Sequence, residues 1–250
     1  MPHQFCHFHF LKNLSRNIGA FDSHLHVKLV KNLNKLAYYK LNTPDSDIII
    51  NNTTYNIKNM VSIILKDISR LINRHSRDFD CFYRFELYND LQNFIDKIKN
   101  IQSIISDNKI LYKILLKIEI NIRNALKRSK NIYNIVKKLI PLFNEIKTIL
   151  ALQNENSEEV KKRADRWASN IKQIIKTDAG KLNLKNLKYK RTIYKSDLLS
   201  ALIEWYRLYN SYKPGLFYYC DHKELPRSIV ELEQLFLLES KHFRMYSGSS

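Results

Sequence analysis

The residues best suited to chemistry in this chain are one glutamate near its end, a cysteine and a histidine near its start, and two runs of nearly unopposed cations. Glu233 lies in the stretch Leu225-Pro226-Arg227-Ser228-Ile229-Val230-Glu231-Leu232-Glu233-Gln234-Leu235-Phe236. That stretch predicts a helix. Pro226 suits a first turn, Ser228 can cap, and Glu231 and Glu233 sit near the positive N-terminal end. Helical spacing puts Glu233 one turn from Ile229, Val230 and Leu237, whereas Glu231 lies beside Arg227. An ionised carboxylate on an apolar face needs a cation or a metal, which makes Glu233 a candidate metal ligand. A solvated acid at the rim of a core fits the same spacing. Cys6 and His9 form half of a zinc site by type and spacing, and the other candidates, Cys220 and His222, are more than 200 residues away. A small buried thiol beside a packed imidazole has the same signature. The chain has no Gly-rich phosphate loop, Ser-His-Asp order or His-Glu-x-x-His motif, so any chemistry is metal-dependent and centred on Glu233.

The cations are the second signal. Between Lys109 and Lys138 stand nine Lys or Arg and one acid, Glu119. Lys109, Lys113 and Lys117 step by four and form a stripe on one helix face, and Arg123, Lys127, Arg128 and Lys130 continue the basic run. A charge run is often only a solvated face, but ordinary surface helices mix signs, and this one-sidedness points to phosphate. Lys181 to Lys195 is similar: Lys181, Lys185, Lys188, Lys190, Arg191 and Lys195 interleave with Tyr189 and Tyr194 and no acid. Cations with aromatics suit backbone contact plus stacking, and a flexible basic loop reads the same way.

The 250 residues carry a formal charge of +18, which makes nucleic acid the natural partner. Part of the Lys, Asn and Ile richness fits a coding sequence biased toward A and T. Four Gly and five Pro argue for long uninterrupted elements over a turn-rich sheet protein. Three well-separated cysteines make a disulfide framework a poor fit and favour a reducing compartment. With no signal pattern and no apolar run near ~18–20 residues, a soluble cytoplasmic protein is expected, nucleoid-associated if bound to DNA, with no membrane contact.

The elements that must position these residues read as helices almost throughout. One is expected to begin near Leu11 and to reach Tyr39, with a break at Gly19. Residues 40–58 read as a linker or small hairpin around Pro44 and the β-branched run. Apolar residues at three-four spacing then mark helices through Val61–Ile72, Tyr88–Ile105, Leu111–Ala125 and Ile132–Leu150, with Pro141 expected to kink or divide the last. Ser157 is the expected cap of the next, whose stripe is Val160, Ala164, Trp167 and Ile171, and Asp178-Ala179-Gly180 its end. A further helix opens at Ser196-Asp197, carries Leu198, Leu202, Trp205 and Tyr209, and stops at Lys213-Pro214-Gly215. Trp167 and Trp205 lie on apolar stripes and read as core. The expected fold is mainly α, an antiparallel helical bundle, with at most one or two short strands near the N-terminus and at residues 47–57.

The C-terminal stretch resembles a signature of insertion-sequence transposases related to the mutator type. There a Pro-Arg-Thr-Asn-Asn-x-Leu-Glu-x-Phe-Phe segment opens a helix, and its Glu completes an Asp-Asp-Glu triad. Pro226, Arg227, Leu232, Glu233, Gln234 and Phe236 keep that pattern, as do Arg244 and Gly248, while Ser228-Ile229-Val230 replaces Thr-Asn-Asn. Gln4, Cys6 and His9 are similar to a second element of that family, a short strand leading into Cys-x-x-His and a helix. The resemblance covers roughly residues 3–14 and 225–248.

The resemblance implies residues 1–39 as the end of a ribonuclease H-like core, 59–222 as a helical insertion, and 223–250 as the final catalytic-type helix. It makes Glu233 a catalytic magnesium ligand, Cys6 and His9 the family's structural pair, and Lys241 and Arg244 candidates for DNA phosphate beside Lys109, Lys113, Lys117, Lys188, Lys190 and Arg191. The family's two catalytic Asp precede the Cys-x-x-His element, so Asp22, Asp45 and Asp47 lie on the wrong side of it. Three carboxylates hold its two Mg2+ ions, and one cannot. The expectation is thus a C-terminal part of a DNA transposase, inactive alone, binding no Mg2+ tightly, with DNA, a separately encoded N-terminal half and a second copy as candidate partners. A non-catalytic basic helical DNA-binding protein is the alternative, and a helical scaffold for a protein partner a third.

Overall fold

The computed structural model describes residues 7–33, 36, 38–39, 42–50, 52–73, 82–151, 156–181 and 198–217. Among them the fold is mainly α: helices α1 (His7–Leu33), α2 (Ile57–Ile72), α3 (Tyr83–Ile104), α4 (Lys109–Ala151), α5 (Ser157–Lys181) and α6 (Leu198–Leu216), with one hairpin, β1 (Asp47–Ile50) and β2 (Thr53–Asn56). The chain forms two compact units, residues 18–137 and residues 1–17 with 138–250; α1 and α4 contribute to both.

In the unit of residues 18–137 the hairpin pairs Asp47 with Asn56 and Ile50 with Thr53 across a two-residue turn. Asn52 takes the left-handed conformation there (φ 61°), which asparagine tolerates better than most side chains. Asn56 then starts α2: its side-chain oxygen accepts from the Asn59 amide at 3.1 Å, and its amide donates to Asp45 and Asp47. The core packs Leu25, Leu29, Val61, Ile68, Leu91, Ile98, Leu115, Ile118 and Ile122, all nearly inaccessible. α3 and α4 run antiparallel, with Tyr133 stacked between Phe85 (4.8 Å) and Tyr88 (3.9 Å) while its hydroxyl donates to Asn89. Phe82, at the start of α3, has no capping side chain. The cap comes instead from α1, where buried Asp22 accepts from the Phe85 amide at 2.8 Å and pairs with Arg84 at 3.5 Å. Burial pushes the Asp22 carboxyl up, against the Phe85 amide and Arg84, and burial wins.

The second unit is built on aromatics. Trp167 of α5 and Trp205 of α6 stack at 6.3 Å, with Phe143 and Tyr209 against them and Phe10 against Tyr209. Each indole is satisfied by a helix carbonyl: Trp167 donates to Leu142 and Trp205 to Leu14. α5 and α6 run antiparallel, since Asp165 accepts from Tyr209 and Lys213 whereas Lys172, two turns further, lies over Tyr206. Burial pushes the Asp165 carboxyl up, but the Lys213 ammonium and Tyr209 hydroxyl outweigh it and hold it below the usual range.

Several boundaries differ from the sequence expectation. α1 begins at His7, four residues before Leu11, runs through Gly19 unbroken, and ends at Leu33. Gly19 has no positive φ, and a bulk of buried neighbours at Leu14, Ile18, Phe21 and Leu25 holds the helix through it. Leu111–Ala125 and Ile132–Leu150 belong to one 43-residue helix that Pro141 does not divide. Exposed Pro141 forfeits one ladder bond, while Leu139, Phe143 and Ile146 beside it stay fully buried. Asn156, not Ser157, caps α5, accepting from the Glu159 amide at 2.9 Å. α5 continues to Lys181 and α6 past Pro214 to Leu216. The N-terminal strand expected before Cys-x-x-His lies outside the described residues.

Candidate nucleic-acid interface

α4 positions the largest group of cations. Its buried stripe includes Leu111, Leu115, Ile118, Ile122, Ala125, Ser129, Ile132 and Val136. With 3.6 residues per turn, the arc opposite that stripe carries Lys109, Lys113, Lys117, Asn124, Lys127 and Lys138, and all six are exposed. Lys109, Lys113 and Lys117, the sequence candidates on this helix, therefore share one solvent face, each ~6 Å further along the axis. None of the three forms an ion pair within the described residues.

The fate of Glu119 decides the sign of that face. It is 7 % exposed, turned toward the core side of α4 and closed off by Arg123, whose Nε and Nη2 both lie 2.7 Å from its Oε1. A charge-assisted contact of this kind neutralises the acid locally. Between Lys109 and Lys138 the exposed surface of α4 is consequently free of negative charge, with Ile110, Tyr112, Leu116 and Ile120 as its exposed apolar residues.

One flank of the face is tied to α1 and the segment after it. Arg128, an exposed residue, donates to Asn32 Oδ1 at 2.7 Å. Asn121, one turn beyond Lys117, donates one amide hydrogen to the Lys117 carbonyl (2.8 Å) and the other to the Tyr39 hydroxyl (2.9 Å). Tyr39 packs edge-on against Tyr38, ring centroids 6.2 Å apart, and Tyr38 is 65 % exposed. The sequence reading did not include Asn32, Tyr38, Tyr39 or Asn121 in any site. Only the four-residue step from Lys117 to Asn121 was there to be seen.

The remaining candidates are placed differently. His9 is exposed near the start of α1, its ring edge-on to Phe8, while His7 is the buried imidazole, with Nε2 2.6 Å from the Leu216 carbonyl as donor. Cys6, Lys188, Lys190, Arg191, Glu233, Lys241 and Arg244 lie outside the described residues. Among the described residues no three His, Cys, Asp or Glu come together as metal ligands. No described helix is long and apolar enough to cross a membrane.

No protein family model, characterised protein or solved structure matches the chain. The α4 face stands on its geometry alone.

Proposed function

We propose that this chain contacts DNA through the outward face of α4 and is the helical C-terminal part of a metal-dependent DNA transposase. The observation that carries the DNA contact is the exposed, acid-free run of Lys109, Lys113, Lys117 and Lys127, with Glu119 withdrawn under Arg123. Such a face meets phosphate without an opposing charge to desolvate, and it binds independently of sequence. What supports the transposase assignment is the resemblance at the two ends: Cys6 and His9, and the Pro226–Phe236 stretch with Arg244 and Gly248.

In that assignment Glu233 is the catalytic carboxylate of this chain, and Lys188, Lys190, Arg191, Lys241 and Arg244 add phosphate contacts. A transposase of this type needs two further Asp, which the resemblance places N-terminal to Cys6. The chain by itself then binds DNA in the cytoplasm, on the nucleoid, without cleaving it. A polypeptide supplying the two Asp-bearing strands, mixed with this chain and Mg2+, is expected to cut transposon-end DNA, and Glu233→Gln to abolish cutting while leaving DNA binding intact. Binding by both proteins with no cutting under any pairing would remove the transposase assignment and leave a non-catalytic basic helical DNA-binding protein.

A further inference from the structure

The flank of α4 carries more than charge. Tyr38 is among the most exposed of the large apolar side chains described, at 65 %, and it is not loosely placed. Its ring meets Tyr39 edge-on at 76°, Tyr39 is fixed by the Asn121 amide, and the Thr43 hydroxyl donates to the Tyr39 carbonyl. Because the Tyr39 oxygen accepts from Asn121, its own proton remains to donate, and no described acceptor takes it. Arg128, seven residues beyond Asn121 on the same face, is exposed and bonds Asn32 through one nitrogen. Lys117, four residues before Asn121, is exposed.

An exposed aromatic ring packed against a tyrosine that keeps a hydroxyl proton to donate, on a helix flank that also carries a guanidinium and an ammonium, is the chemistry that holds an unpaired nucleotide. The ring offers a face to a base, and the donors engage its phosphates. In a duplex the base faces are already stacked, and only the phosphates would be engaged. We infer that Tyr38 is a base-stacking platform and that this flank of α4 takes unpaired nucleic acid in preference to duplex. The inference rests on the DNA-contact role of α4 proposed above and names the form of nucleic acid which that surface prefers.

The test uses the full chain and fluorescently labelled oligonucleotides of one sequence, single-stranded and as duplex, titrated by anisotropy at one fixed salt concentration. Single strand is expected to bind more tightly than duplex. Tyr38→Ala is expected to weaken single-strand binding about tenfold, as loss of one stacked base does, and to leave duplex binding unchanged. Tyr38→Phe keeps the ring and is expected to retain single-strand affinity; circular dichroism of each variant checks that the fold is kept. Lys117→Ala is expected to weaken both forms. Equal affinity for the two forms, or single-strand binding indifferent to Tyr38→Ala, overturns the stacking platform while leaving DNA contact by α4 in place. No binding of either form overturns both.

Discussion

Glu119 is buried against its own helix and Arg123 closes over it with two nitrogens at 2.7 Å, so the only acid in the first thirty residues of α4 is hidden by one of its cations. The arginine is 46 % exposed and the acid 9 %, so the guanidinium forms the outer side of a pair whose net charge is zero. Replacing Glu119 with Gln keeps the shape and removes the charge. Stability is expected to fall by about 1 kcal/mol, since a partly buried charge-assisted contact becomes a weaker neutral one. Affinity for DNA is expected to hold or rise. Urea denaturation and an anisotropy titration of the same variant check both.

Asp22 caps a helix to which it does not belong. Asp22→Ala leaves the Phe85 amide without its acceptor and Arg84 without its counter-charge, at an expected cost of about 1–3 kcal/mol. Asp22→Asn retains an oxygen for the amide and is expected to cost clearly less. Equal losses for the two variants would show that the ion pair, and not the cap, is what matters.

Two carboxyls should pull the acid limb of stability in opposite directions. Asp165 is held below its ordinary value of 3.8, so its contribution is present above that value and is lost as pH falls through the folded one. Asp22 is raised above 3.8, so its contribution is present below that value and is lost as pH rises through the folded one. Between roughly pH 5 and 3, Asp165→Asn is expected to flatten the fall of the urea midpoint, and Asp22→Asn to steepen it. Midpoints measured at half-unit steps check the two signs.

Gly19 sits inside α1 with helical handedness, and a Cβ added there meets nothing within 4 Å. Gly19→Ala is expected to stabilise the protein by about 0.5–1 kcal/mol by removing backbone freedom from the unfolded chain. A lowered melting temperature in this variant would mean that the glycine has a role the helix does not display.

The helices were legible because their evidence is local. The spacing of Leu111, Leu115, Ile118 and Ile122, or of Val160, Ala164, Trp167 and Ile171, selects one buried face whatever the partner. The hairpin was one of two readings left open for residues 40–58, where the β-branched run pointed to short strands and Pro44 to a linker. Misjudged points were those where local propensity lost to packing: Gly19 and Pro141 weaken a helix in isolation, but Leu14 to Leu25 and Leu139 to Ile146 bury too much apolar surface for either helix to part there. The Lys109, Lys113 and Lys117 stripe could be read from its step of four. Tyr38, Tyr39 and Asn32 could not be joined to it, because the links of Tyr39 to Asn121 and of Asn32 to Arg128 cross 82 and 96 positions of sequence.

The central claim is that the α4 lysines meet phosphate. The measurement is the slope of log affinity against log salt for a DNA duplex, with the wild-type chain and with Lys109→Ala/Lys113→Ala/Lys117→Ala. Three lost phosphate contacts should make the slope shallower by about 2 to 3 and weaken binding at every salt concentration. Identical slopes for the two proteins would place any DNA contact elsewhere and contradict the account.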